Sequence, residues 1–138
     1  MELTRDNLYL FTIGSDRLLK RFNLKNDIRD IEVDTYYEFT KSFSISKMLI
    51  SPDNQYLYIA SSDGTLKKWS VYDEKIEYDF GRIHGFTINA LQVSKDGDLL
   101  WTGGGDEQIK MYDVTNSKLI KEFDSVHHDW VSSMAITY

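Results

Sequence analysis

Three histidines, no cysteine and a few well-spaced acids bound the chemistry open to this 138-residue chain. His84, Thr102 and Asp106 supply the residue types of a nucleophilic relay: a hydroxyl, an imidazole to take its proton and a carboxylate to orient the imidazole. His127-His128-Asp129 places three metal-ligating types in a row. Successive residues of an extended chain point in opposite directions, so such a run chelates poorly, and a solvated loop with no metal is expected. Gly103-Gly104-Gly105 resembles a phosphate cradle in composition only. Neither a Lys-Ser/Thr pair nor a helical pattern follows it, which excludes a P-loop, and a tight turn into the next strand accounts for the glycines. Without cysteine, disulfides, thiolate metal sites and cysteine nucleophiles are excluded. No cofactor is expected.

The elements that must position these groups are short. Leu8-Tyr9-Leu10-Phe11-Thr12-Ile13, Tyr56-Leu57-Tyr58-Ile59-Ala60 and Leu99-Leu100-Trp101-Thr102 are apolar bursts, each closed by a cluster of Gly, Ser and Asp. Aromatic and β-branched runs bounded by turn residues read as strands in hairpins, and no stretch sustains a helical period, so the chain reads as all-β. Hydrophobic residues at 41% suffice for a core. A net charge of -6 argues against a nucleic-acid partner. No apolar run reaches the ~20 residues of a membrane span, and the N-terminus lacks a signal-peptide pattern, so a soluble, cytoplasmic protein with no membrane association is expected.

The three bursts are copies. Aligned on Asp16, Asp63 and Asp106 they repeat at intervals of 47 and 43 residues. Five residues before each Asp stands an aromatic, Phe11, Tyr58 or Trp101; six after stands another, Phe22, Trp69 or Tyr112. Lys20, Lys67 and Lys110 fill the fourth position after it, and Asp6, Asp53 and Asp96 the tenth before it. Internal repetition of this kind decides the fold. Each unit is a small antiparallel sheet that cannot bury both faces alone, so Phe11, Tyr58 and Trp101 are expected between stacked units.

With Asp63-Gly64-Thr65-Leu66-Lys67-Lys68-Trp69-Ser70 and Asp106-Glu107-Gln108-Ile109-Lys110-Met111-Tyr112-Asp113 in the place of a turn and a third strand ending in Trp-Asp, the chain resembles the WD-repeat β-propeller family. His84 and His127 stand where that family's Gly-His pair supplies its histidine. The resemblance implies β-propeller blades of four-stranded antiparallel sheets, three blades' worth. The first blade, 1–40, lacks its first strand; 41–83 and 84–126 are complete; 127–138 is a closing first strand. First strands are expected near 44–50, 87–93 and 131–137, second strands near 8–13, 55–60 and 98–103, and third strands near 17–24, 65–71 and 108–114. The stretch from Asp27 to Phe39 carries a four-residue insertion.

The resemblance also implies a buried structural relay of Asp, His, Ser/Thr and Trp in each blade. It matches in the third repeat at His84, Thr102 and Asp106, with Tyr112 in the Trp place. The second repeat keeps Asp63 and Trp69 but has Lys41 for His and Ile59 for Ser/Thr. The first keeps Thr12 and Asp16 with Phe22 for Trp. His, Thr and Asp are then buried groups satisfying one another rather than a catalytic triad. No pair of inward polar residues recurs outside the relay, which favours a non-catalytic scaffold with protein partners over a hydrolase built on the blades.

Trp130 precedes Val131 as Ser44 precedes Ile45 and Thr87 precedes Ile88, so the repeat asks for no aromatic there. In the family this position lies by the narrow top face that binds partners, and Trp is enriched in interface hot spots. Candidate contacts are Trp130, Asp129, His128, Thr87, Ser62 and Gly105. Three blades fall short of the roughly four to eight that close a ring. The expected remedy is a homodimer with strand exchange at the chain ends, in which His127 of one chain completes the relay of Thr12 and Asp16 in the other. The alternative is that the chain is a fragment or subunit of a larger propeller.

Overall fold

The structure is a computed structural model and describes residues 1–25, 31–38 and 44–137. Lys41 and the flanks of the insertion, 26–30 and Phe39, lie outside the described residues. Twelve strands form three antiparallel sheets of four, with no helix among the described residues. The first sheet holds β1 (Glu2–Leu3), β2 (Tyr9–Ile13), β3 (Leu18–Asn23) and β4 (Glu32–Glu38). The second holds β5 (Ile45–Ile50), β6 (Tyr56–Ser61), β7 (Thr65–Ser70) and β8 (Lys75–Arg82), and the third β9 (Ile88–Val93), β10 (Leu99–Gly104), β11 (Ile109–Asp113) and β12 (Lys118–Phe123). Strand order follows chain order in every sheet. Each sheet is a meander of tight hairpins whose turns are built by the acidic columns: Asp53 and Asp96 accept from the amides of Gln55 and Asp98, and Asp63 from that of Thr65. Short side chains that bond the backbone two residues on are the mechanism of such turns.

Alternation within the strands gives each sheet two apolar faces. Phe11 and Leu19 of the first sheet bury against Leu57, Ile59 and Trp69 of the second. On its other face the second sheet presents Tyr58, Ala60 and Leu66 to Ile88, Leu91, Leu100 and Tyr112 of the third. The rings meet edge-on: Phe11 lies 6.0 Å from Trp69, and Phe80 5.5 Å from Tyr112. Trp101 departs from the expected column. It is half-buried rather than inside, because its face has no following sheet; it stacks on Phe123 of its own sheet at 6.0 Å.

The expected strand at 131–137 is absent. The segment runs beside β9, with the Val131 amide donating to the Gly104 carbonyl at 3.1 Å and Gln92 Nε2 to the Met134 carbonyl at 3.0 Å. Val131 is buried as its repeat counterpart Ile88 is, but no second strand stands beyond it to form a ladder. At the other end the first blade does have a first strand, the two-residue β1, in register with Phe11 and Leu10 of β2.

The glycines before Asp106 also differ from expectation. Gly103 and Gly104 belong to β10, and the left-handed residue of the turn is Glu107, φ 66°. What requires glycine is close approach: a Cβ on Gly104 would lie 2.5 Å from both His84 Nδ1 and Asp106 Oδ1.

Trp69 is wholly buried and spans the first inter-sheet core. Trp69→Ala is therefore expected to lower unfolding free energy by about 3–5 kcal/mol, read from urea denaturation. A loss under about 1 kcal/mol would show that the two sheets do not depend on one another.

Candidate functional site

The turn after β10 and the connection from β8 to β9 converge at one end of the third sheet. Arg82 fixes that connection, its guanidinium donating to the carbonyls of His84 and Gly85. Gly64, at φ 84°, lets the neighbouring sheet come close, since a Cβ there would lie 2.0 Å from the His84 carbonyl oxygen. His84 is thereby held inside, 2% exposed. Its Nδ1 lies 2.8 Å and 3.1 Å from the two Asp106 oxygens, and its Nε2 2.7 Å from Thr102 Oγ1. The carboxylate can only accept, so Nδ1 carries the proton and Nε2 accepts from the Thr102 hydroxyl. Asp106 also accepts from the Gly85 amide at 2.7 Å.

The electrostatics agree with a neutral ring beside a charged acid. Burial lowers the His84 pKa below its ordinary value and outweighs the raising effect of Asp106. Burial pushes Asp106 up, but the Gly85 amide and the His84 ring more than offset it, leaving its carboxyl below the usual range. Thr102 is fully buried and its oxygen is committed to the imidazole. The arrangement joins β10, the following turn and the entry to β9 through these hydrogen bonds.

The relay stops at Thr102. The Tyr112 hydroxyl makes no hydrogen bond to it; the ring is buried against Phe80, and its phenol is pushed up to about 12 by burial and then by Glu122. In the second blade Asp63 turns to Thr65, whose amide and hydroxyl donate at 3.0 Å and 2.7 Å, while the Ser61 hydroxyl reaches the Ser44 carbonyl. Trp69 is core. In the first blade Asp16 accepts from the Leu18 amide and from Lys20, and no hydrogen bond joins it to Thr12. His127 is exposed and makes no hydrogen bond among the described residues.

On the surface beside the relay, Trp130 is 69% exposed. A Cβ on Gly105 would lie 3.6 Å from Trp130 Cδ1 and 3.2 Å from Phe86 Cβ. Phe86, 66% exposed, therefore belongs to the same patch. Sequence reasoning passed over it, although an aromatic in the turn between Gly85 and Thr87 was a readable signal. Thr87 and Ser62 serve mainly as scaffolding: Thr87 Oγ1 donates to the Ser62 carbonyl, and the Thr87 carbonyl accepts from the Gly105 amide. His128 and Asp129 are exposed, and Asp129 accepts from the Trp130 amide. Among the described residues no three His, Asp or Glu side chains are placed to hold a metal ion, and no helix is long and apolar enough to cross a membrane.

Stacked four-stranded meanders with inward first strands and turns gathered at two ends are the blades of a β-propeller. The family described as WD domain, G-beta repeat matches residues 33–70 and 80–113, more than half of the sequence, and the chain belongs to that family. It is 33% identical over 69 residues to cilia- and flagella-associated protein 52 of Macaca fascicularis, which spans half of this chain and 11% of that protein. Among solved structures, that of U3-55K superposes with a TM-score of 0.81 at 18% identity, covering 96% of this chain and 40% of the other. The RRP9 WD40 repeats give 0.62 at 22%, covering 66% and 28%. The chain thus spans well under half the length of each of these proteins.

The relay sets a pH dependence. Both folded pKa values lie below the unfolded ones, so the stabilisation is complete above the unfolded histidine value, 6.5, and is lost as pH falls through the folded value. Asp106 adds a second loss below its unfolded value, 3.8. Asp106→Ala is expected to cost about 1–3 kcal/mol at pH 7. His84→Gln is expected to flatten the decline just below pH 6.5 in denaturant titrations. An unchanged decline in that variant would remove His84 from the account.

Proposed function

We propose that this chain is a non-catalytic WD-repeat scaffold that binds protein partners through the surface around Trp130. The observation that carries the reading is the pair of large exposed side chains, Trp130 and Phe86, both lying against Gly105. Aromatic side chains on a rigid support bind with little loss of conformational freedom, and exposed apolar clusters on soluble domains mark interaction sites. Thr87, Ser62, His128 and Asp129 supply a polar rim. The relay of His84, Thr102 and Asp106 fixes the turn from which the patch projects. The site is tested by affinity capture with quantitative mass spectrometry. Proteins retained by the wild-type chain are expected to be lost with Trp130→Ala and with Phe86→Ala, while circular dichroism and the unfolding midpoint stay unchanged. If Trp130→Ala unfolds the chain, the ring is packing and the reading fails.

We further propose that the end faces are completed by other blades. Each interior interface joins the aromatic five residues before the turn Asp of one blade to the face bearing the aromatic six after it in the next. Trp101 and Phe22 are the half-buried, unmatched members of these columns. Beside Trp101, Ile109, Met134 and Ile136 line an apolar hollow of about 400 Å³. A second copy of the chain would bring Phe22 to Trp101 at both junctions and close a six-bladed ring, within the roughly four to eight blades of propellers. The second reading is that other blades of a longer propeller cover these faces, and the small share of each similar protein that the chain spans favours it. Light scattering separates the two. Self-closure predicts twice 16.1 kDa, with Trp101→Arg reducing the mass to one chain. A soluble, folded wild-type monomer would refute self-closure.

A further inference from the structure

The two blade junctions solve the same electrostatic problem differently. At the first, the Arg21 guanidinium lies 5.2 Å from the Tyr9 ring centroid and is neutralised by Asp34 at 2.8 Å and Glu74 at 3.0 Å. The neighbouring inward ring is Phe11, which has no hydroxyl. At the second junction the same repeat positions hold Lys68, Tyr56 and Tyr58. Lys68 is only 8% exposed, with Nζ 3.9 Å from the Tyr56 ring centroid, yet it makes no ion pair with any described residue. Tyr58 is wholly buried, and its hydroxyl has no hydrogen-bond partner.

Both side chains line a cavity of about 430 Å³ at the end of the sheets opposite Trp130, between the Ser51–Gln55 turn and the Asp96–Asp98 turn. Such a volume is ordinary for a ligand pocket. Tyr58 and Asp53 both line this space, with the unpartnered Tyr58 hydroxyl at its buried side. Four carboxylates line the cavity, Asp53, Glu77, Asp96 and Asp98, against the single ammonium of Lys68. Asp53 and Asp96 are engaged with their own turns through Ser51 and Ser94. The Glu77 and Asp98 carboxylates make no hydrogen bond or ion pair with described residues. Lys68 feels the charge of Glu77 and then of Asp53, and one ammonium against four carboxylates leaves the lining with an excess of negative charge.

We propose that this inter-blade cavity is a second binding site, which receives a cationic side chain of a partner polypeptide, arginine in preference to lysine. A guanidinium presents five donors in one plane. It can give one to the inner Tyr58 oxygen and others to Glu77 and Asp98, whereas an ammonium is a compact point charge. Lys68 already occupies the Tyr56 face, so the guest enters beside it and the two cations repel. The site goes beyond the Trp130 surface and does not depend on it.

The test uses the whole chain labelled with nitrogen-15 and titrated with acetyl-Gly-Arg-Gly-amide, followed by amide NMR. Saturable shifts are expected at Ser51–Tyr58 and Asp96–Asp98. The citrulline tripeptide, similar in shape and uncharged, is expected to give none. Glu77→Gln and Asp98→Asn, both at exposed positions, should each weaken binding about tenfold, as loss of a hydrogen bond to a charged group does. Tyr58→Phe should also weaken it, and Lys68→Met should tighten it by relieving the repulsion. The proposal is overturned if arginine and citrulline peptides act alike, if shifts spread over all acidic surfaces, if Glu77→Gln and Asp98→Asn leave affinity unchanged, or if Lys68→Met weakens binding.

Discussion

Everything in this chain depends on one constraint: a four-stranded meander has two apolar faces and cannot cover either by itself. Burying a large side chain is worth roughly 1.5–3 kcal/mol, so a sheet with both faces wet has little reason to form. Stacking resolves this. The second blade is buried on both sides, with Trp69 and Leu57 turned one way and Tyr58 and Leu66 the other. The outer blades are buried on one side only. Their hairpins, turns and relay are arranged around that difference.

Polar satisfaction follows from the same stacking. Bringing two blades together buries the segment that links them, and its polar groups need partners. In the third blade His84 is the hub, bonded on one side to Asp106 and on the other to Thr102. In the second, where Ile59 occupies the place of a hydroxyl, the work passes to Ser61, Ser44 and Asp63, which hold the turn without any histidine. The outcomes are local variants on one backbone. This is why relay residues vary between repeats while the aromatic columns that stack the blades are kept in kind.

Repeat arithmetic made the sheets and most strand positions legible, because turn acids and alternating aromatics act over a few residues. The partnership of His84, Asp106 and Thr102 was legible for the same reason, each group having a fixed place in the repeat. What could not be read was whatever depends on a neighbour outside the repeat. The segment after Val131 has the sequence of a first strand, yet a strand is a pairing and not a property of seven residues. Trp101 has the sequence of a core ring and lies half-exposed for want of a blade beyond it. The relay role expected of Tyr112 failed in another way: the residue type was suitable, but the ring packs edge-on against Phe80 and its hydroxyl makes no hydrogen bond with Thr102. Gly104 looked like a turn residue because spacing alone does not show that a histidine ring lies against its Cα.

The two ends of the stack differ in chemistry, and the cause is again the stacking. At one end the connections between blades are tied down by Arg82 and the relay, so the side chains they project, Phe86 and Trp130, can remain exposed without freeing the backbone. At the other end the hairpin turns are held by their own acids, Asp53 and Asp96, and each turn that uses a carboxylate adds negative charge where two blades meet. A junction must then supply a cation or tolerate the field. Arg21, reaching both Asp34 and Glu74, balances the first junction from within. Lys68, turned onto Tyr56, makes no ion pair with a described residue at the second and feels Glu77 and Asp53 only at longer range. The same repeat position thus gives a closed structural cluster in one place and an open, charged cavity in the next. The difference comes down to whether the cation's donors span the gap between two blades.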